Sequence, residues 1–231
     1  NDFFGESRVY SVGSVIQYYE RRHIELQEAH INAIELMRTI GWRIGEAYMH
    51  TMRGFDYLSP TNLDINQARD YLQRAMAVCQ ETGEKGFQLL IGRGMAKVAT
   101  ILGDYDSAIT KLKELLNILR MIGDLFEQTA TLCWLAEAYE TADNLTEALS
   151  LYQECQSIAE KLQFPFWQWQ ALFGQGRCLQ QLGKNKEAVS KLSSSCAIIV
   201  KLRKQFTSEQ EAANFVAETQ VVYDLLTNLT A

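Results

Sequence analysis

The chain has 231 residues, of which 47% are hydrophobic and 22% charged, an ordinary globular composition with room for one large domain or two small ones. Its net charge of −6 disfavours nucleic acid as a partner, because phosphate binding takes a concentrated basic face. No stretch approaches the ~20 consecutive apolar residues of a membrane span, so we expect no membrane partner. The five cysteines include no C-x-x-C pair, which favours a reduced, cytoplasmic setting.

The first forty residues are the least regular part of the sequence. Residues 9–38 carry apolar side chains at spacings that suit one or two helices. We therefore predict that residues 1–40 form an N-terminal helical cap or a degenerate repeat. Because the sequence starts with Asn1 rather than Met, we expect it to be a piece of a longer protein.

Two turn signals alternate along the next part of the chain, and both recur at about 40 residues. The first is a polar turn followed by an alanine, at Ala68, Ala108, Ala148 and Ala188. The second lies between these alanines, at Gly41, Gly83, Gly123 and Gln163. Two interleaved turn signals on one period predict a helix–turn–helix unit, repeated four times over residues 41–206.

Small residues occupy two fixed positions in each unit. On the second helix they are the four alanines above, and on the first helix they are Gly54, Ala96, Ala136 and Gly176. A bulky side chain at either position would push the two helices apart. We therefore expect Ala136 and Ala148 to be buried where the helices cross.

This layout resembles the tetratricopeptide repeat, whose pattern has small residues at positions eight and twenty, an aromatic at eleven and a large apolar residue at twenty-four. The third unit matches at Ala136, Tyr139, Ala148 and Tyr152. The period exceeds the family's usual ~34 residues by about one turn per helix, as in long-helix variants found in regulatory proteins. The resemblance implies an all-α, right-handed α-solenoid of about four to five helix pairs with helical caps.

The last residues, 207–231, predict a C-terminal capping helix, since a Thr-Ser-Glu capping signature precedes an amphipathic run. The stretch also resembles the segment that joins repeats to a caspase-like CHAT peptidase domain in bacterial proteins. The matching residues are Leu202, Arg203, Phe215, Tyr223, Leu225 and Leu226. This resemblance implies that a peptidase would lie beyond Ala231, outside the chain.

The family's concave groove is lined by the first helix of each unit, which gives ten candidate partner-binding residues. They are Leu90, Arg93, Lys97, Cys133, Glu137, Glu140, Gln170, Phe173, Arg177 and Gln180. Arg93 and Lys97, one turn apart, are expected to form a basic spot facing Glu137 and Glu140. Either the spot binds an acidic ligand group, or the four side chains form intramolecular ion pairs. The carboxylate clamp of the chaperone-binding members also needs asparagines, which the second unit lacks.

No catalytic signature is present, since no nucleophile–base pair, phosphate loop or metal-ligand spacing is found. We expect neither enzyme activity nor a cofactor or metal. The aromatic patch, Phe164–Trp169, is either a partner surface or packing between repeats.

The sequence therefore predicts a scaffold that binds a protein or peptide, as a regulatory module of a larger bacterial signalling or CHAT-peptidase-type protein. The alternative is a peptide or small-ligand sensor domain of a signalling ATPase or transcription regulator. The oligomeric state is left open.

Overall fold

The computed structural model describes residues 25–206 and 209–231, and these form ten α-helices and no strand. The first helix is α1 (Glu25–Thr39) and the last is α10 (Glu209–Thr230). Between them lie four helix pairs. In chain order they are α2 (Arg43–Asp56) with α3 (Ile65–Thr82), α4 (Gly86–Ile101) with α5 (Tyr105–Ile122), α6 (Leu125–Thr141) with α7 (Leu145–Lys161), and α8 (Pro165–Gln181) with α9 (Asn185–Arg203).

Each helix packs on the next one along the chain, and the first helices of successive pairs, α2, α4, α6 and α8, also contact one another. This arrangement places the first helices together on one face of the array and confirms the all-α solenoid of helix pairs. The predictions for residues 1–24 and for the Thr-Ser cap at 207–208 lie outside the described residues. Within the described residues no helix is long and apolar enough to cross a membrane.

The predicted turn signals coincide with residues whose backbone is left-handed. Between pairs these are Gly41, Gly83, Gly123 and Gln163, and within pairs they are Gly103, Asp143 and Gly183. A left-handed residue ends one helix and reverses the chain, which is why glycine recurs at these positions. The turn between α2 and α3 is longer, spans residues 57–64 and contains Pro60.

Several helices begin with a side-chain cap directly after such a turn. The side chains of Asp64, Asp104, Asp124 and Asn144 each accept a hydrogen bond from the backbone N–H three residues later. Each cap satisfies one of the backbone donors that a helix start leaves without an intrahelical partner. Turn and cap together fix where these four helices begin.

Close helix crossings explain the small residues. A Cβ atom on Gly54 would lie 2.7 Å from the Leu72 side chain, and one on Gly176 would lie 2.7 Å from Leu192. Ala136 and Ala148 are both fully buried, as predicted. Successive pairs approach equally closely, because a Cβ on Gly94 would lie 2.6 Å from the Phe55 ring.

We expect Ala148→Leu to destabilise the fold by about 1–3 kcal/mol, because the crossing between α6 and α7 has no room for three more carbon atoms. Urea unfolding followed by circular dichroism measures the change. The control is Ala142→Leu, at an exposed position in the turn between α6 and α7, which should change stability little. Equal effects of the two substitutions would contradict the close crossing.

We expect Gln163→Gly to stabilise the protein by about 0.5–1 kcal/mol, because glycine adopts the left-handed backbone of this turn without a Cβ clash. The reverse change in an equivalent turn between pairs, Gly123→Gln, should destabilise it by a similar amount. Both are read from the free energy of unfolding. A loss of stability in Gln163→Gly would show that its side chain makes a contact worth more than the strain.

Candidate functional site

The first helices enclose a concave pocket of about 580 Å³. Its lining includes eight of the ten predicted groove residues: Leu90, Arg93, Lys97, Cys133, Glu137, Gln170, Phe173 and Arg177. They face the pocket because side chains three or four residues apart share one face of a helix. The other two predicted residues, Glu140 and Gln180, do not line the pocket, although Glu140 contacts residues that do.

The basic spot is neutralised within the protein. Arg93 Nη1 lies 2.5 Å from a carboxylate oxygen of Glu127, and Lys97 forms an ion pair with Glu137. The prediction of intramolecular pairing is correct for Lys97 and Glu137. Glu140 is not a partner of either cation. Glu127 was missed, although its spacing from Ala130 and Trp134 puts it on the pocket face of α6.

Glu140 instead belongs to a group with Tyr152, which is buried, and Arg177, which is partly exposed. The Arg177 guanidinium donates to both Glu140 carboxylate oxygens at 2.8 and 2.7 Å, and the Tyr152 hydroxyl donates to Glu140 at 2.8 Å. Burial, helped by the neighbouring carboxylates and opposed by Arg177, raises the pKa of the Tyr152 phenol well above its ordinary value. Tyr152 therefore stays a neutral donor, and this group joins α6, α7 and α8.

The pKa of the Glu137 carboxyl is set by two opposing effects. Burial by itself raises this pKa, but the Lys97 ammonium, through charge and a hydrogen bond, and the Arg177 charge together lower it below its ordinary value. Glu137 is therefore ionised at neutral pH.

Aromatic rings cover the cations of the pocket. The Trp134 ring centroid lies 5.2 Å from the Arg93 guanidinium carbon and 5.9 Å from Lys97 Nζ, and Phe55 meets the same indole edge-on at 5.6 Å. The Phe173 ring lies 4.5 Å from the guanidinium carbon of Arg177. These are cation–π distances, so the cations are held by rings as well as by carboxylates.

The aromatic patch at the start of α8 serves both packing and pocket lining. Phe166, Trp167 and Trp169 are buried and line the pocket, and Phe164 stacks on Phe126 at a centroid distance of 5.0 Å. Their burial argues against a patch exposed to a protein partner. The indole N–H groups of Trp167 and Trp169 are buried without a hydrogen-bond partner among the described residues.

Two segments that sequence reasoning did not assign to the groove also line the pocket. One is the long turn after α2, through Leu58, Ser59, Pro60 and Thr61. The other is α10, through Ala217, Glu218 and Val221. The Ser59 hydroxyl and a Glu218 carboxylate oxygen lie 3.2 Å apart and are hydrogen-bonded. No local pattern signals a contact between residues 159 positions apart.

The described part of the chain offers little support for a metal site or a reactive cysteine. In residues 25–206 and 209–231, no group of three or more His, Cys, Asp or Glu side chains is placed to hold a metal ion. All five cysteines are buried free thiols, and burial raises the pKa of Cys79 to about 11 and that of Cys178 to about 12. Thiols with such pKa values are protonated and therefore poor nucleophiles at neutral pH.

Residues 127–199, which include most of this pocket's α6 and α8 walls, match the family model described as tetratricopeptide repeat. This match covers about a third of the chain, and residues 127–199 are therefore similar to tetratricopeptide repeats. Such repeats are protein-interaction scaffolds and are typically not catalytic. No curated protein sequence matches the chain.

Several solved structures share the fold. A Signal Transduction ATPase with Numerous Domains from Pyrococcus horikoshii, which has a tetratricopeptide-repeat sensor, is 16% identical with a TM-score of 0.54, over 79% of this chain and 28% of that one. Aspartyl phosphate phosphatase F from Bacillus subtilis is 14% identical with a TM-score of 0.57, over 85% and 57%. The repeats of a kinesin light chain from Podosopora anserina are 19% identical with a TM-score of 0.52, over 78% and 92%.

These identities show the fold alone. The chain spans 28% of the length of the signalling ATPase and 57% of that of the phosphatase. The comparisons therefore show a tetratricopeptide-repeat match over residues 127–199 and a shared fold, and they leave the CHAT-junction resemblance of the last residues a prediction.

We expect Lys97→Met to destabilise the protein at neutral pH by about 1–2 kcal/mol, because it leaves Glu137 without its counter-charge. The lowered pKa of Glu137 contributes stability above the unfolded value of about 4.3, and that contribution is lost as pH falls through the folded value. The difference from wild type should therefore shrink on acidification from about pH 7 to about pH 3, measured by urea unfolding. Lys111→Met, which removes an exposed pair with Glu114, is the control. A pH-independent difference would contradict the assignment.

Proposed function

We propose that the chain is a regulatory module that binds a short peptide segment carrying apolar or aromatic side chains. The observation that supports this proposal is the pocket, whose volume of about 580 Å³ lies within the ~300–1,000 Å³ range of small-ligand sites. Its walls come from all four first helices, from the turn after α2 and from α10. A folded partner domain does not fit in this volume, whereas a few residues of extended peptide do.

The charges of the pocket favour an uncharged ligand group over an acidic one. Arg93, Lys97 and Arg177 each pair with a glutamate of the protein and lie against an aromatic ring. A ligand carboxylate would have to displace one of those glutamates, and a buried carboxylate without its partner is costly. Apolar side chains instead gain contact with the rings without disturbing the ion pairs.

A peptide backbone would bring hydrogen-bond acceptors, which a purely apolar ligand lacks. The buried donors Trp167 Nε1, Trp169 Nε1 and Arg93 Nε have no hydrogen-bond acceptor among the described residues. Each of these donor atoms is closed to solvent in the ligand-free protein, so its side chain must turn toward the pocket before a peptide carbonyl oxygen can accept from it; the gain is an acceptor for a donor that is otherwise buried without one. Peptide backbone and apolar side chain together match the lining of the pocket.

The proposed biological setting is a larger signalling protein. Two structures with this fold are a signalling ATPase with a tetratricopeptide-repeat sensor and an aspartyl phosphate phosphatase. The size of the pocket favours the sensor role, in which a small ligand regulates attached domains, over docking of a folded partner. Attachment to a CHAT-type peptidase is a second setting for the same regulatory role.

The test is a titration of the protein, labelled with ¹⁵N at its tryptophan indoles, with two tetrapeptides. Ac-Gly-Phe-Leu-Gly-NH2 should shift the indole signals of Trp134, Trp167 and Trp169, which line the pocket, and leave exposed Trp42 unchanged. Ac-Gly-Glu-Glu-Gly-NH2 should cause no shift. Stronger binding of the acidic peptide would overturn the proposed ligand class and restore the basic-spot prediction.

A matched pair of variants tests the site. Ala217→Phe puts a ring into the pocket from an exposed position of α10, whereas Gln220→Phe adds the same ring to α10 outside the pocket lining. Ala217→Phe should weaken binding of the apolar peptide by ~tenfold or more, about 1.4 kcal/mol, and Gln220→Phe should bind as wild type does. Equal binding by both variants would show that the peptide binds elsewhere.

A further inference from the structure

We propose that α10 is a movable wall of the pocket, closed by its contact with the turn at residues 57–61, and that docking of α10 and occupancy of the pocket are coupled. The coupling rests on the proposed function, whereas the movement of α10 does not. The reason to single out this helix is that the contact between its residues and the turn joins opposite ends of the repeat array.

In a solenoid, each repeat contacts its neighbours along the chain, and the two ends have no reason to meet. Here they do. Leu58, Pro60 and Thr61 of the turn line the same pocket as Ala217 and Val221 of α10. The hydrogen bond between the Ser59 hydroxyl and Glu218, at 3.2 Å, lies at this junction, and Ser59 is only 2% exposed.

The two sides of α10 are held by different means. Toward the array, Phe215 and Val222 are buried, with the Phe215 ring 5.1 Å from Phe206 and 6.4 Å from Trp169. Toward the turn, the junction is polar at Ser59, and neighbouring Val221 is 51% exposed. Apolar burial resists separation more than such a polar junction does, so the turn side is where the wall opens.

Trp169 links the ligand to the wall. Its indole lines the pocket and also contacts Phe215 of α10 edge-on. A ligand that packs on Trp169 and on Ala217 therefore binds the closed wall better than the open one. By linkage, a ligand with this preference stabilises the closed position of α10, and a wall held closed by other means binds the ligand more tightly.

The movement is tested in the ligand-free 231-residue protein by hydrogen exchange of the tryptophan indole N–H groups. Ser59→Ala and Glu218→Gln weaken the junction, and each should speed exchange at Trp169 by roughly fivefold to tenfold. Asp224→Asn, an exposed change on the same helix, is the control and should leave the rate unchanged. Far-UV circular dichroism checks that each variant stays folded. If one of the two variants does not fold, the other still tests the movement.

Unchanged Trp169 exchange in both folded variants would overturn the movable wall and leave α10 a fixed side of the pocket. The coupling is tested by adding Ac-Gly-Phe-Leu-Gly-NH2, which should slow the exchange of the Trp169 indole N–H in wild type. The same peptide should associate with Ser59→Ala, and dissociate from it, faster than it does with wild type. Faster exchange in the variants together with no peptide binding would support the movable wall and overturn the proposed ligand class. Peptide binding with identical rates in wild type and Ser59→Ala would overturn the coupling.

Discussion

The close crossing of paired helices is the constraint on which the rest of the structure depends. Leu72 lies so near Gly54 that even one added carbon would clash, and Leu192 has the same relation to Gly176. A crossing this tight fixes the angle between the two helices of a pair, because side chains cannot shift to absorb an error. Repetition of the same crossing then sets the curvature of the array, and the curvature brings side chains from α4, α6 and α8 around one pocket.

The polar groups of the pocket hold the first helices together as well as lining the site. Arg93 with Glu127 ties α4 to α6 near one end, and Arg177 with Glu140 ties α6 to α8 farther along. Each pair crosses from one repeat to the next, so the spacing between repeats depends on charges that face the pocket. A substitution that broke one of these pairs would therefore alter the spacing between repeats as well as the lining of the pocket.

Sequence periodicity predicted the features that recur in every repeat. It did not predict contacts that occur only once in the structure. Ala136 and Ala148 are buried as the pattern required, and most of the predicted groove residues line the pocket, because both follow from positions that recur in every unit. The partner of Arg93 was missed because Glu127 lies at the start of α6, outside the groove positions that recur in each unit, and side-chain reach favours it over Glu137 and Glu140. The contribution of α10 had no signal in the sequence, since it depends on how far the accumulated curvature carries the last helix toward the first turn.

The junction between Ser59 and Glu218 has a consequence for the number of repeats. An open solenoid tolerates gain or loss of a unit, because each unit needs only its neighbours. Here, removing one helix pair would shorten the arc and inserting one would lengthen it, and in either case the turn after α2 and α10 would no longer meet. The junction thus makes the number of repeats part of the architecture of the binding site, because duplication of a repeat, harmless in an open array, would here separate α10 from the turn and remove one wall of the pocket.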